Sequence, residues 1–396
     1  MNIEEIAKLD EQYFSPVFGK RLPVSFVRGE DVYLIDSTGK RYIDFLSGIA
    51  VNCLGYSDEG FKQTLKDTVD SLMHTSNYFY NETQAKLAEK LCAATGYDNV
   101  FLSNSGAEAV EGALKLARKH HFAKGNPRSE IVTMQNSFHG RTLATLAATG
   151  QEKFHEAFQP LIETFTYVPV NDIAALEAAV SDKTAAVLIE PILGEGGIIP
   201  VTPKYFQAVR RVCDAHGALM IADEIQTGMG HTGALLASPA LGAKPDVAVL
   251  AKALGNGFPV GAFLVRGEAA RAFAPGDHGS TFGGNRMACA AAYYVTCKLV
   301  DTDILSHVTR MGEYFVSKLN ALQAVSPAIL DVRGRGLMLG IELDSSVSAL
   351  DIKKKLLDAG FVTATAGRNV LRLVPPYVIQ PSHIDALVGN LKELLG

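Results

Sequence analysis

One lysine stands among apolar residues, in the stretch DVAVLAKALGNGFPVG that spans residues 246–261. Lys252 follows a run of aliphatic side chains and precedes Ala253 and Leu254. Burial disfavours the charged form of a lysine and lowers its pKa. A neutral amine attacks carbonyl carbons and forms Schiff bases, so Lys252 is a candidate nucleophile. The simpler alternative is a lysine that extends its ammonium group to solvent.

Other reactive side chains follow apolar runs that predict strands buried on both faces, as in a parallel sheet covered by helices. These runs are NVFLSN, EIVTM, AAVLIEP, ALMIADE, DVAVL and GAFLV. Ligands bind at the carboxyl ends of the strands in such sheets. The first five runs are followed by Ser105-Gly106-Ala107-Glu108, QNSFHGR, ILGEGG, DEIQTG and Ala251-Lys252. We therefore expect a helix start, an aromatic ring, an arginine, two acids and a lysine at one edge of the sheet.

Two of these groups also have ordinary structural explanations. Ser105 and Glu108 fit a capping box, in which each side chain binds the other's backbone amide, but a small-residue helix start also binds phosphate. Asp223 fits a helix cap or turn. Together with Lys252 they match pyridoxal phosphate, which has an aldehyde for the amine, a phosphate for the helix start and a ring nitrogen for the acid.

Composition excludes several classes of protein. The 396 residues include 47% hydrophobic residues and carry a net charge of -5 without a basic cluster, so nucleic acid is not an expected partner. No apolar run reaches the roughly 18 residues of a membrane helix, and no secretory signal is apparent. The five cysteines form no CxxC pair, and no histidines fall in a metal-ligand motif. We expect a cytoplasmic protein without a membrane contact or a metal site.

The order of elements predicts an α/β fold with a mostly parallel sheet in a large domain, and a smaller α+β domain built from both termini. The expected divisions are residues 1–58, an N-terminal segment that forms part of the small domain, residues 59–300, the large domain, and residues 301–396, the rest of the small domain. The stretch VYLIDSTGKRYIDF predicts a hairpin. Residues 203–216 predict an amphipathic helix that stops at Gly217.

Nine ordered motifs resemble those of the class III, fold-type I pyridoxal-phosphate aminotransferases, over nearly the whole chain from Arg28. They are GKRYIDFLSGIAVNCLG, HTSNYFYN, NSGAEA, SFHGRTLATLAATGQ, EPILGEGG, DEIQTGMG, LAKALGNGFPVGA, HGSTFGGN and LRLVPP. The resemblance implies that Lys252 forms the Schiff base with the cofactor and moves the proton. It also implies that Asp223 pairs with the pyridine nitrogen, Gln226 approaches the ring hydroxyl and Phe138 stacks on the ring.

The same resemblance implies how the phosphate and the subunits are arranged. The backbone amides of Gly106 and Ala107 would hold the phosphate, next to Ser105. Thr281 would reach the phosphate of a neighbouring subunit, and Ser280 would lie near the substrate. A homodimer with shared active sites follows from this expectation.

Substrate recognition is also implied by the resemblance, with Arg141 and Arg372 as two carboxylate clamps. Glu195 would neutralise Arg372 when the substrate chain has no carboxylate there. The motif SGIAVN favours the acetylornithine branch, in which the δ-amino group of N-acetylornithine moves to 2-oxoglutarate and yields glutamate. Ornithine, succinylornithine, succinyldiaminopimelate and 4-aminobutyrate stay open as donors.

Five positions depart from the usual family pattern without removing a proposed catalytic group: Tyr56, Val110, His231, Asn256 and Arg286. Two other hypotheses remain at this point. One is a decarboxylase or aminomutase on the same scaffold, against which two carboxylate clamps argue. The other is a non-catalytic dimer, against which the joint presence of Lys252, Asp223 and Phe138 argues.

Overall fold

A computed structural model describes residues 1–396 as twelve α-helices and seventeen β-strands. The helices are α1 (Ile3–Tyr13), α2 (Ser47–Ala50), α3 (Glu59–Ser71), α4 (Glu82–Thr95), α5 (Gly106–Ala123), α6 (Leu143–Ala148), α7 (Ile173–Ala179), α8 (Pro203–His216), α9 (Arg286–Asp301), α10 (Ile304–Gln323), α11 (Ala349–Asp358) and α12 (Pro381–Leu395). The strands are β1 (Phe26–Glu30), β2 (Tyr33–Asp36), β3 (Arg41–Asp44), β4 (Asn99–Ser103), β5 (Glu130–Met134), β6 (Phe165–Val168), β7 (Thr184–Ile189), β8 (Ile192–Leu193), β9 (Ile199–Pro200), β10 (Leu219–Asp223), β11 (Val247–Leu250), β12 (Gly261–Val265), β13 (Ile329–Arg335), β14 (Met338–Leu343), β15 (Phe361–Val362), β16 (Ala364–Ala366) and β17 (Val370–Leu373). None of the helices combines the length and apolar composition that crossing a bilayer requires.

The largest sheet contains the six strands that the apolar runs predict, together with β6. Its strand order is β4-β12-β11-β10-β7-β5-β6. Adjacent strands from β11 to β6 are parallel, whereas β12 runs antiparallel to both of its neighbours. The sheet is therefore mixed at one strand. The sequence does not predict the direction of β12, because a strand buried on both faces shows the same apolar run in either direction.

Helices cover both faces of this sheet, so successive strand residues enter different apolar clusters. Ile221 packs in a cluster with Leu114 of α5, whereas its neighbour Met220 packs with Phe206 of α8. The predicted helix α8 begins after Thr202, whose hydroxyl caps it, and ends at a left-handed glycine. Because helices cover both faces of the sheet, only the loops at the strand ends are open to a ligand.

The two termini share a second sheet, of order β1-β2-β3-β15. Its β2 and β3 form the predicted hairpin, and β15 joins β3 in parallel from the C-terminal part of the chain. A third, antiparallel sheet has the order β13-β14-β17-β16 and carries Arg372 on β17. The last helix begins at Pro381. These sheets bring C-terminal residues to the carboxyl edge of the largest sheet.

Candidate active site

A cavity of about 490 Å³ lies at the carboxyl edge of the largest sheet. Nine of the residues singled out in the sequence line it: Ser105, Gly106, Ala107, Phe138, Arg141, Glu195, Asp223, Gln226 and Lys252. They come from the ends of β4, β5, β7, β10 and β11 and the loops that follow. The parallel order of these strands brings together side chains that are far apart in the sequence.

Asp223, the last residue of β10, is buried and held in a fixed orientation. His139 Nδ1 donates to its Oδ2 atom at 2.7 Å, and the backbone amide of Ile225 donates to its Oδ1 atom at 3.1 Å. His139 Nε2 lies 3.2 Å from the Thr133 hydroxyl. The sequence interpretation missed His139, although it directly follows Phe138 in the motif SFHGR.

One residue, Ala251, separates β11 from Lys252, which begins a single 3-10 turn. Burial lowers the pKa of its ammonium group, and the nearby Glu195 carboxylate opposes this effect only in part. Its φ of 46° is in the left-handed region, which is strained for a residue with a side chain. The turn therefore presents an amine with an increased neutral fraction to the cavity.

The start of α5 differs in one respect from the predicted capping box. The Ser105 hydroxyl accepts from the Glu108 amide at 3.2 Å, as expected. The Glu108 carboxylate, however, accepts from the backbone and side-chain amides of Asn104, at 2.9 and 2.8 Å, instead of from Ser105. The first-turn amides of Gly106 and Ala107 have no partner within the helix, as at any helix start. They border the cavity and present donors at the positive end of the helix dipole.

The loop after β5 brings Phe138 and Arg141 to the cavity. Gly140, with a φ of 139°, turns the chain between them. The Arg141 guanidinium lies 4.1 Å from the Phe154 ring centre and 5.5 Å from that of Phe138. Cation–π contacts of this kind orient a guanidinium without neutralising its charge, which leaves Arg141 able to bind an anion.

Glu190 supports the same loop from the end of β7. Its carboxylate accepts from the backbone amides of Phe138 at 2.9 Å and Gly194 at 3.0 Å. Burial raises the pKa of Glu190 to about 7. Glu190 was also missed in the sequence, because only the tertiary structure shows that it links two loops of the cavity.

Arg372 is buried on β17 and pairs with Glu195, which also lines the cavity. Burial raises the pKa of Glu195, but the adjacent guanidinium has the larger combined effect and the net pKa is lowered. The Arg372 Nε atom has no hydrogen-bond partner. Arg372 does not itself line the cavity, and it reaches the site through Glu195, whose carboxylate balances its charge.

Ser280 and Thr281 do not line this cavity. They border a second, larger space of about 1350 Å³ together with Tyr78 and Tyr80. A hydrogen bond links the two spaces, because the side-chain amide of Asn104 donates to the Ser280 hydroxyl at 3.1 Å.

The segment Ser47–Ala50 supports the cavity in a left-handed conformation, with φ between 49° and 68° at all four residues. Such a turn costs about 1–2 kcal/mol for each residue that is not glycine. The buried Asp44 carboxylate accepts from the Ser47 amide at 2.8 Å, and His231 Nε2 donates to the Ala50 carbonyl at 3.0 Å. These contacts hold the turn next to Val51, which lines the cavity.

Glu224 anchors the chain immediately after Asp223. Its fully buried carboxylate accepts from the Thr227 hydroxyl at 2.6 Å and from the backbone amides of Ala237 and Ser238 at 3.0 and 2.7 Å. Burial raises its pKa, while these donors oppose that shift. The two adjacent acids at the end of β10 therefore have different roles, because Asp223 lines the cavity and Glu224 holds a loop in place.

Comparison with known proteins agrees with this architecture. The model of the family aminotransferase class-III matches residues 15–395. An acetylornithine aminotransferase of Methanocaldococcus jannaschii is 45% identical, over 100% of this chain and 98% of that protein. The crystal structure of the ornithine aminotransferase from Toxoplasma gondii ME49 superposes with a TM-score of 0.94 at 32% identity, over 99% and 94% of the two chains. An acetylornithine aminotransferase from Elizabethkingia anophelis gives 0.88 at 33% identity, over 100% and 99%.

The fold is that of a fold-type I aminotransferase. The chain belongs to the class III aminotransferases, which are pyridoxal-phosphate-dependent enzymes.

The residues present fit this cofactor. The α5 amides at the cavity are suited to hold a phosphate, and the buried Asp223 carboxylate could balance the charge of a protonated ring nitrogen. The Gln226 Oε1 atom is buried without a hydrogen-bond partner at the cavity, as expected for a group that contacts a bound molecule. These polar groups are consistent with a preformed binding site.

His231 provides a test of the left-handed turn through pH. Burial lowers its pKa from 6.5 to about 4, so the unfolded chain binds the proton more tightly than the folded protein. The resulting stability is present above about pH 6.5 and is lost as the pH falls towards 4. We expect the free energy of unfolding of the wild type, relative to His231→Gln, to fall by about 2 kcal/mol between about pH 7 and about pH 5. Urea titrations measure this difference, and a parallel pH dependence in both proteins would contradict it.

Proposed function

We propose that the enzyme transfers the δ-amino group of N-acetylornithine to 2-oxoglutarate, giving N-acetylglutamate semialdehyde and glutamate. The observation that carries the proposal is a cavity lined by a lysine whose pKa is lowered by burial, by one arginine, and by an acid that pairs with a second, buried arginine. Relatives that are 42–45% identical over nearly the whole chain carry the name acetylornithine aminotransferase.

The cavity residues would position the cofactor and the proton. When bound, pyridoxal phosphate supplies an electron-accepting ring, which takes up the electron pair when the substrate's amino carbon loses a proton. Asp223, oriented by His139, would keep the ring nitrogen protonated through a charge-assisted hydrogen bond. Phe138 would cover one face of the ring, and Gln226 would approach its hydroxyl group.

Lys252 would hold the cofactor and act as the base. Its lowered pKa increases the fraction of neutral amine, which can accept the proton from the substrate's amino carbon and return it. The amides of Gly106 and Ala107 would hold the phosphate, so that the ring keeps one orientation while the proton moves.

The two arginines would admit two unlike substrates in turn. Glutamate has two carboxylates, whereas N-acetylornithine has one and reacts at the other end of its chain. Arg141 and Arg372 would each bind one carboxylate of glutamate. For the acylated donor, Glu195 would stay on Arg372 and neutralise it, because a buried guanidinium without a partner is costly.

The direct test is the amino-donor preference of the purified enzyme loaded with pyridoxal phosphate. We expect kcat/KM with 2-oxoglutarate as acceptor to be higher for N-acetylornithine than for ornithine, succinylornithine, succinyldiaminopimelate or 4-aminobutyrate. Glutamate production measures the transfer. A higher value for another donor would replace the proposed substrate, and carbon dioxide release without glutamate would favour a decarboxylase.

Lys252→Ala is the control for this assay. We expect no amino transfer from any donor in this variant, because the base and the attachment point for the cofactor are both removed. Borohydride treatment should fix the cofactor to Lys252 of the wild type only. Retained transfer by the variant would rule out the proposed role.

Arg372→Ala should separate the two halves of the reaction. We expect it to lose about 2–5 kcal/mol of transition-state stabilisation with glutamate and to keep most of its reaction with N-acetylornithine. Single-turnover half-reactions, followed by the cofactor's visible absorbance, measure both. Arg368→Ala is the matched control, since Arg368 is exposed nearby on the same sheet connection. Equal losses with both substrates would contradict the role of Arg372.

We also propose that two copies form the working enzyme, with Thr281 of one copy reaching the phosphate site of the other and Ser280 close to the substrate. Large apolar side chains support this, because Tyr78 and Phe79 are 94% and 68% exposed beside Ser280 and Thr281. Isolated subunits rarely expose such a patch. All five cysteines are free, and we place the enzyme in the cytoplasm for that reason.

Sedimentation equilibrium tests the dimer. We expect a single species of about twice the 42.4 kDa subunit mass at micromolar concentration. Tyr78→Asp should shift this equilibrium to monomer, because it places a charge within the apolar patch. A wild-type enzyme that is active as a monomer would contradict the shared site.

A further inference from the structure

The loop that carries Glu195 is bonded directly to the C-terminal sheet. We call residues 194–198 the gate loop. The Gly367 amide donates to the Glu195 carbonyl at 2.9 Å. Two residues further, Arg333 of β13 donates to the Gly197 carbonyl from Nε at 3.0 Å and from Nη2 at 2.8 Å. Its Nε atom also lies 3.1 Å from the Ile198 carbonyl. One guanidinium thus binds two successive carbonyls, two and three residues after Glu195.

Close packing also restricts the gate loop. A Cβ atom on Gly196 would lie 2.6 Å from the Asn136 carbonyl oxygen, and one on Gly367 would lie 2.8 Å from the Gly196 carbonyl oxygen. Backbone atoms cannot yield as a flexible side chain can. The gate loop is therefore enclosed between the β5 loop on one side and the C-terminal sheet on the other.

Arg333 is fixed in turn by acids of its own sheet. Its Nη1 atom donates to Asp331 at 2.9 Å and also pairs with Glu342 of β14. The side chain is 17% exposed, and it does not line the cavity. Arg333 therefore contacts neither substrate nor cofactor, and any effect it has on the reaction passes through the gate loop.

We propose that Arg333 is a positioning residue that sets the balance between the two substrates by fixing the backbone beneath Glu195. This inference rests on the proposed role of Glu195 at Arg372. With the backbone held at the Glu195 carbonyl and again at the Gly197 and Ile198 carbonyls, the Glu195 carboxylate leaves Arg372 only by rotation of its side chain. The pair then re-forms readily whenever a substrate without a second carboxylate occupies the cavity.

Loosening this support has opposite consequences for the two substrates. A mobile gate loop places the Glu195 carboxylate on Arg372 less often, so the acylated donor meets an unbalanced guanidinium. Glutamate, which must displace Glu195, meets less competition for Arg372. The ratio of kcat/KM for N-acetylornithine to kcat/KM for glutamate should therefore fall.

The experiment compares Arg333→Met with Arg335→Met in the cofactor-loaded enzyme. Arg335 lies on the same face of β13 and is exposed, so its replacement controls for the loss of a strand arginine. We expect the substrate ratio from single-turnover half-reactions to fall about tenfold in Arg333→Met, the effect of one lost charge-assisted hydrogen bond, and to stay unchanged in Arg335→Met. The binding of glutarate, a dicarboxylate without an amino group, should tighten in Arg333→Met only.

Glu195→Gln, alone and combined with Arg333→Met, tests whether Arg333 affects the substrate ratio through Glu195. Glu195→Gln should lower the same ratio, and adding Arg333→Met should lower it no further. Arg333→Lys keeps a positive charge but lacks the fork that binds two carbonyls, so we expect an intermediate substrate ratio. This variant replaces Arg333→Met in the comparison if Arg333→Met folds poorly. Thermal midpoints of all variants monitor folding.

Three results would overturn the inference. They are an unchanged ratio in both Arg333 variants, equal slowing of both half-reactions, and a further fall in the double variant. An unchanged ratio in Glu195→Gln would instead refute gating by Glu195, and the role of Arg333 would fail with it. A shifted ratio in Glu195→Gln with none in the Arg333 variants would leave the gate intact and remove only the positioning role.

Discussion

Charged groups lose hydration at the carboxyl edge of the largest sheet, and the structure supplies each of them with a partner. Asp223 has His139, Glu195 has Arg372, and the Arg141 guanidinium lies against aromatic rings. An unpartnered ion in such a place costs several kcal/mol, so these pairs determine which groups can be present together. Lys252 is treated differently, because burial lowers its pKa and increases its neutral form. The reactive amine and the stable ions of the site follow from one electrostatic constraint.

The same constraint explains why the site uses two sheets. The strand ends of the largest sheet provide Lys252, Asp223 and the start of α5, which are the proposed cofactor-binding groups. Arg372 comes from the third sheet, which is bonded to the gate loop at the cavity. Substrate recognition therefore depends on a junction between parts of the fold, whereas the cofactor groups depend on one sheet alone. This division is consistent with a constant reaction centre and an adjustable specificity element.

The sequence was sufficient for six of the seven strands of the largest sheet and for nine of the residues that line the cavity. Apolar runs identify β10 and β11, and the rule that ligands bind at strand ends then selects Asp223 and Lys252. The direction of β12 was not predictable, because its apolar pattern is the same in a parallel and an antiparallel strand. Ser280 and Thr281 lie outside the cavity of the single chain, so their expected role depends on a second copy.

Other residues of the site had no signal of their own in the sequence. His139 and Glu190 are ordinary polar residues until the folded chain places them behind Asp223 and Phe138. The left-handed turn at Ser47–Ala50 contains a single glycine, and its conformation follows from tertiary hydrogen bonds rather than from local preference. Arg333 likewise acquires its meaning from two carbonyls more than 130 positions away in the chain.

The adjacent acids at the end of β10 have a further consequence for how the chain tolerates change. Side chains alternate across a strand, so a shift of β10 by one position would place Glu224 where Asp223 lies. The cavity would then receive the acid that holds a loop, and the four hydrogen-bond donors of that loop would lose their acceptor. The hydrogen bonds of Glu224 therefore favour the register of β10 that leaves Asp223 at the cavity. Insertions and deletions in this strand should be rarer in descendants of this gene than substitutions on its surface.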